Sequence, residues 1–146
     1  MPIFKEIPPT AGWKFSIKDM FVRCASMGLE NDFRNYLNAS DAHITYSGTA
    51  GLYIILESLK KLSSKRTIVI PSYACPLVAL AAIKSGLRIK VCDIAKGSFD
   101  FNYTHLKRLC VEDKDVLAIV AIHLGGIAVD FDKIKELSAA YQIFTI

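Results

Sequence analysis

The 146-residue sequence lacks both common nucleotide loops: no GxGxxG follows a predicted strand, and no GxxxxGK[ST] occurs anywhere. It has no CxxC pair among its four cysteines, Cys24, Cys75, Cys92 and Cys110. No zinc site is therefore expected, and reduced thiols in a cytoplasmic protein are the expectation. Its longest apolar stretch, residues 74–83, is too short to span a bilayer and contains Pro76. The first residues, MPIFKEIPPTAGW, hold charges and prolines where a signal peptide needs an apolar core. Its small positive excess is diluted along the chain rather than concentrated. Through Arg66 nine basic residues face six acidic ones, and after it nine face eight, for a net charge of +4. A nucleic-acid surface is not expected, because the basic cluster Lys60, Lys61, Lys65 and Arg66 has no interleaved aromatics and lies at a predicted helix end. No repeat or low-complexity tract is present.

What is there is a globular, strongly apolar composition. Hydrophobic residues make up 52% and charged residues 22%, which excludes a disordered or fibrous chain. The mean hydropathy of +0.32 points to strands buried on both faces, or to a surface that another chain covers.

Residues 1–30 read as an N-terminal arm punctuated by Pro2, Pro8, Pro9 and Gly12. Residues 31–146 form the main domain. A short helix is expected over residues 30–37 and a strand over 43–46 (HITY). The helix expected over 49–62 has Leu52, Ile55, Leu56 and Leu59 on one face. Strands follow at 67–70, 88–93, 116–122 and 143–146, separated by helices at 76–85, 103–110 and 131–140. This alternation predicts βαβ units, a mostly parallel sheet and a three-layer α/β/α fold. Ile146 falls within a predicted strand, so the chain is expected to be the front part of a larger α/β protein.

Ligands of parallel sheets bind outside the carboxyl ends of the strands. Three loops are expected there: Ser47-Gly48-Thr49, residues 71–75, and His123-Leu124-Gly125-Gly126. The first joins a predicted strand to a helix N-terminus, where free amides, a glycine and two hydroxyls suit a phosphate. A Ser/Thr helix cap without any ligand would give the same residues.

The ordered set SGTAGL, VIPSYACP, IKVCDI and AIHLGG, followed by Asp130 and Ile134, resembles the DegT/DnrJ/StrS sugar aminotransferases. These are pyridoxal-phosphate enzymes of the aspartate-aminotransferase-like fold. EIPPTAG also looks like the start of one branch of that family. The resemblance implies that Ser47, Gly48, Thr49 and Ala50 hold the phosphate of pyridoxal 5'-phosphate. It places Cys75 where the family commonly has an aromatic ring against the pyridine face, and the alternative for Cys75 is a small packed residue before Pro76. His123 matches a family histidine that touches the cofactor region or orients a neighbour; a buried histidine bonded to a backbone carbonyl is the other reading. Asp93 reads as a turn or cap residue, and Tyr73 as lining the site or packing beneath it.

The resemblance also implies two residues beyond Ile146, a carboxylate for the pyridine nitrogen and a lysine that bonds to the cofactor. No catalytic residue is therefore assigned within the chain, and the isolated chain is expected to be inactive. The implied partners of the complete protein are a nucleotide-sugar, an amino-acid donor, expected to be glutamate, and a second subunit in a homodimer. Surface glycans and secondary-metabolite sugars are both open as destinations. Two other readings stand beside this one: a sugar dehydratase or epimerase, and a short chain that binds a phosphorylated ligand or partner without catalysis.

Overall fold

A computed structural model of the chain describes residues 28–146. The chain divides into two compact units, Met1–Ile44 and Thr45–Ile146. All but the last three residues of the expected arm, together with Cys24 and EIPPTAG, lie outside the described residues. In the first unit, helix α1 (Leu29–Tyr36) buries no residue.

The strand expected over residues 43–46 does not form. Among the described residues no strand pairs with it, and an extended segment without a neighbouring strand has no ladder for its amides and carbonyls. Its side chains show the consequence, since Tyr46 is 96% exposed.

The second unit begins with helix α2 (Gly48–Leu62) and continues as strand β1 (Thr67–Pro71), helix α3 (Pro76–Lys84), strand β2 (Arg88–Cys92), helix α4 (Tyr103–Glu112), strand β3 (Val116–Ile119), helix α5 (Phe131–Tyr141) and strand β4 (Phe144–Thr145). The strands form one sheet in the order β2-β1-β3-β4, and every pairing is parallel. β1 and β3 are central and buried along their whole length, which is why they read as continuous apolar runs. β2 is an edge, and its exposed or half-buried Arg88 and Lys90 are the charges that guard such an edge.

Val69, Val116 and Ile119 meet Leu106, Cys110 and Ile134 of α4 and α5 in one cluster, while Ile68, Ile70 and Leu117 meet Leu56, Ala81 and Ala82 of α2 and α3 in another. The sheet is thus a middle layer with helices over both faces, the α/β/α arrangement expected from the alternation. Opposite Thr67 and Ile68 the register jumps from Val116 to Ala118. Leu117 is the extra residue of this bulge, and it and Ala118 both join the α2/α3 cluster.

On α2, Leu56 is fully buried and Leu52 and Leu59 pack partly against the same cluster, whereas Ile55 stays 43% exposed. The basic cluster at its end bonds carbonyls at the ends of three helices, and Arg66 Nη1 donates to that of Ser63, the residue that closes α2. Lys60 Nζ donates to the carbonyl of Ser85 after α3, and Lys65 Nζ donates to those of Tyr141 and Gln142 after α5. Among the described residues, no helix is long and apolar enough to cross a membrane.

Candidate cofactor site

Order β2-β1-β3-β4 reverses direction between β1 and β3: one crossover leads outward from β1 to β2, and another outward from β3 to β4. The loops leaving their carboxyl ends therefore diverge there, opening the crevice where such sheets take ligands. Val69 pairs with Ile119, and the Val120 amide donates to the Val69 carbonyl at 2.9 Å. Residues 72–75 and 120–126 consequently leave the sheet from adjacent chains, about 4.8 Å apart.

The N-terminus of α2 reaches the same edge. The helix has 15 residues and so spans about 22 Å. It packs along the sheet through Leu56, and only residues 63–66 connect its far end to the start of β1. It must therefore run antiparallel to the strands, which sets Ser47–Ala50 at their carboxyl ends.

Ser47 caps this helix: its Oγ accepts the Ala50 amide at 3.1 Å, and its carbonyl accepts the Gly51 amide at 3.0 Å and the Thr45 hydroxyl at 2.9 Å. The Ala50 amide is thus taken by the cap. The Gly48 and Thr49 amides have no hydrogen-bond partner among the described residues. A Cβ built on Gly48 would meet nothing within 4 Å, and its backbone is not left-handed. Nothing among the described residues requires glycine there. Two free amides, the Thr49 hydroxyl and open space over Gly48 form a site fitted to a phosphate. Thr49 and Ala50 also line a cleft of about 290 Å³ with Tyr46, Tyr53, Leu80 and Lys84. A larger cavity, about 510 Å³ and lined by Glu30, Arg34 and Asp41, lies in the first unit and contains none of the expected site residues.

Cys75 is exposed at the N-terminus of α3, before Pro76, with no capping hydrogen bond. It is not a packed residue, so that alternative is set aside. Its exposure also contrasts with Cys92 and Cys110, whose thiols burial pushes up to about 12 and about 11. Tyr73 is exposed and stacks on Phe99, ring centroids 5.6 Å apart. Asp93 is a turn residue: its carbonyl accepts the Asn102 amide at 2.8 Å, and its exposed carboxylate lies 2.9 Å from His105 Nδ1.

His123 is exposed, and its Nδ1 accepts the Val129 amide at 3.2 Å. The reading of a buried histidine bonded to a carbonyl is therefore corrected on both counts. The chain turns away from the sheet after Ala121, whose amide still donates to the Ile146 carbonyl at 2.8 Å, and a 3₁₀ turn (Leu124–Gly126) carries the ring outward. Asp100 and Tyr103, which bond to the Asp130 backbone at the end of this loop, had no signature in the sequence; they lie 30 and 27 residues from it.

Comparison with known proteins follows this geometry. The DegT/DnrJ/EryC1/StrS aminotransferase family model matches residues 25–146. The chain belongs to this family of pyridoxal-phosphate enzymes. Its curated relatives include an uncharacterized protein of Methanocaldococcus jannaschii, 23% identical over 121 residues, covering 83% of this chain and 31% of that protein. Protein MosB of Rhizobium meliloti is 33% identical over 88 residues, covering 60% of this chain and 17% of MosB. Among solved structures, 3-amino-5-hydroxybenzoic acid synthase superposes with a TM-score of 0.71 at 17% identity, covering 80% of this chain and 29% of that one. The GDP-4-keto-6-deoxy-D-mannose-3-dehydratase of E. coli, with bound hydrated PLP, gives 0.69 at 21%, covering 80% and 31%. A Streptococcus pneumoniae protein assigned as a sugar aminotransferase, solved in its PLP form, gives 0.70 at 20%, covering 80% and 29%. The chain thus spans about a third or less of the length of the relatives it matches.

Proposed function

We propose that this chain carries the phosphate-holding end of the cofactor site of a pyridoxal-phosphate-dependent aminotransferase acting on a nucleotide-linked keto-sugar, with glutamate as amino donor. The observation that carries the reading is the pair of amides at Gly48 and Thr49 that have no partner among the described residues, beneath open space at the carboxyl edge of the sheet.

Gly48, Thr49 and the Thr49 hydroxyl would hold the phosphate, with Ser47 and Ala50 fixing the turn that presents them. The α2 dipole favours the phosphate charge at that end. Cys75 would face the ring with a polarizable sulfur in place of an aromatic side chain, and His123 would offer its ring at the same edge. The cofactor supplies an electron sink when bound; these residues bind and orient it. The proton-moving lysine and the carboxylate for the pyridine nitrogen are assigned outside these 146 residues. The complete protein is proposed to be a cytoplasmic homodimer. The GDP-sugar dehydratase among the structural relatives keeps a dehydratase reaction as the second reading.

The test is binding of pyridoxal 5'-phosphate, compared with pyridoxal, to the 146-residue chain. The phosphate ester should bind at least tenfold more tightly, and Thr49→Val should remove about tenfold, the scale of a hydrogen bond to a charged group. Equal affinity for the two compounds would overturn the assignment.

A further inference from the structure

The loop carrying His123 is held by residues from a different connection, the one between β2 and α4. Asp100 Oδ1 lies 2.8 Å from the Tyr103 hydroxyl and accepts the Phe101 amide at 2.7 Å. Asp100 Oδ2 accepts the Asp130 amide at 3.1 Å. The Tyr103 hydroxyl is also 3.1 Å from the Asp130 carbonyl, so its proton is shared between that oxygen and Asp100. Phe101 and Val129 are both buried in the α4/α5 cluster, which anchors each partner of this clasp in the core.

Asp130 is also held through its own side chain. Its Oδ1 caps α5 by accepting the Lys133 amide at 3.2 Å, and its Oδ2 lies 2.8 Å from Lys133 Nζ. Lys133 in turn sits over the Tyr103 ring, 5.0 Å from its centroid. Burial, and then the Asp100 carboxylate, push the Tyr103 hydroxyl well above its ordinary range, so it remains a donor at any physiological pH.

The Val129–Asp130 segment is therefore fixed by its side chain on one side and by Asp100 and Tyr103 on the other. Its remaining donor, the Val129 amide, meets His123 Nδ1. A ring nitrogen that accepts carries no proton, so the neutral ring must bear its proton on Nε2. That is the nitrogen left free on an exposed ring.

We propose that Asp100 and Tyr103 are positioning residues for His123: they fix the Val129 amide, which holds the imidazole so that Nε2–H is offered as a donor to an acceptor oxygen of the ligand bound at the carboxyl ends of β1 and β3. The ligand clause rests on the cofactor-site reading above; the positioning clause does not.

The positioning clause is tested without ligand on the full 146-residue chain. Nuclear magnetic resonance should show a scalar coupling through the hydrogen bond between the Val129 amide nitrogen and His123 Nδ1. Tyr103→Phe and Asp100→Asn should each weaken or abolish it while circular dichroism shows an intact fold. Absence of the coupling in the wild type, or an unchanged coupling in both folded variants, overturns the clause.

The ligand clause is then tested with pyridoxal 5'-phosphate as the probe. His123→Ala should weaken binding about fivefold, equivalent to about 1 kcal/mol. Tyr103→Phe should do nearly the same, Tyr103→Phe combined with His123→Ala should lose no more than His123→Ala alone, and His123→Gln should restore part of the loss. Additive losses would overturn the proposal, because they would mean that Tyr103 acts elsewhere. If the wild type binds no pyridoxal 5'-phosphate, the cofactor-site reading and the ligand clause fall together, and the coupling measurement still decides the positioning clause.

Discussion

Arg88 Nη2 and Asp115 Oδ2 lie 2.6 Å apart at the amino end of the sheet, the end opposite the candidate cofactor site. The same carboxylate oxygen accepts the Arg66 amide at 3.0 Å and the Thr67 hydroxyl at 3.1 Å, so one side chain ties the starts of β1, β2 and β3. The ion pair itself is exposed on the Arg88 side and is worth little by itself. The buried Thr67 hydroxyl and the Arg66 amide give the position its weight.

Acid should therefore loosen this end. Partial burial acts to raise the Asp115 carboxyl, but the Arg66 amide, Arg88 and Thr67 outweigh it and hold the group below its ordinary value. A carboxyl depressed in the folded state adds stability above its unfolded value of about 3.9, and that stability is lost as pH falls through the lower, folded value. Denaturant midpoints measured from neutral pH down to below pH ~3 should fall less steeply in Asp115→Asn than in wild type. At neutral pH, Asp115→Ala should cost about 1–3 kcal/mol, because the buried Thr67 hydroxyl loses an acceptor.

Leu56 is the one fully buried residue of α2 and its main anchor to the sheet. Leu56→Ala should destabilise the chain by about 2–5 kcal/mol, whereas Ile55→Ala, one position along and exposed, should cost about 1 kcal/mol or less. Urea unfolding of both variants checks the contrast. Equal costs would mean that α2 packs on a different face.

Gly48 separates a structural need for glycine from a ligand's need for it. With nothing within 4 Å of an added Cβ, Gly48→Ala should change stability by no more than about 0.5 kcal/mol. Pyridoxal 5'-phosphate affinity should nevertheless fall roughly tenfold, because the methyl group keeps the phosphate from the amides. Titration and thermal melting of the same preparation give both numbers.

The thiols should divide sharply. In a Cys24→Ser background, a thiol reagent should modify Cys75 at once and leave Cys92 and Cys110 untouched until the chain unfolds, since those two are buried and held protonated far above neutral pH. Bound pyridoxal 5'-phosphate should slow the Cys75 reaction. Cys75→Phe, at this exposed position, should tighten binding of the cofactor and leave stability near that of wild type.

The parts of the fold that depend on local pattern were legible in the residues. The Leu52, Leu56 and Leu59 spacing marked the buried side of α2, and the apolar runs at Thr67–Pro71 and Val116–Ile119 marked the two central strands. Residues 43–46 have strand-forming side chains, yet strand formation depends on a neighbour, and propensity does not carry that information. The bulge at Leu117 was hidden for a related reason: a continuous apolar run looks the same in either register. At the site, Ser47–Ala50 could be placed because a helix N-terminus has a short-range signature. The exposure of His123 and the clasp from Asp100 and Tyr103 could not, since they arise where loops after two different strands meet.

Gly125 and Gly126 follow His123 with φ of +61° and +78°, and an added Cβ at either would meet nothing within 4 Å. The barrier to replacing them is therefore one of backbone conformation, on the order of 1–2 kcal/mol each, with no contribution from crowding. New side chains are therefore costly at this corner. Room to diversify lies on either side, at Leu124 and Ile127, which can vary in size and polarity while the glycine pair keeps the turn and the imidazole in place.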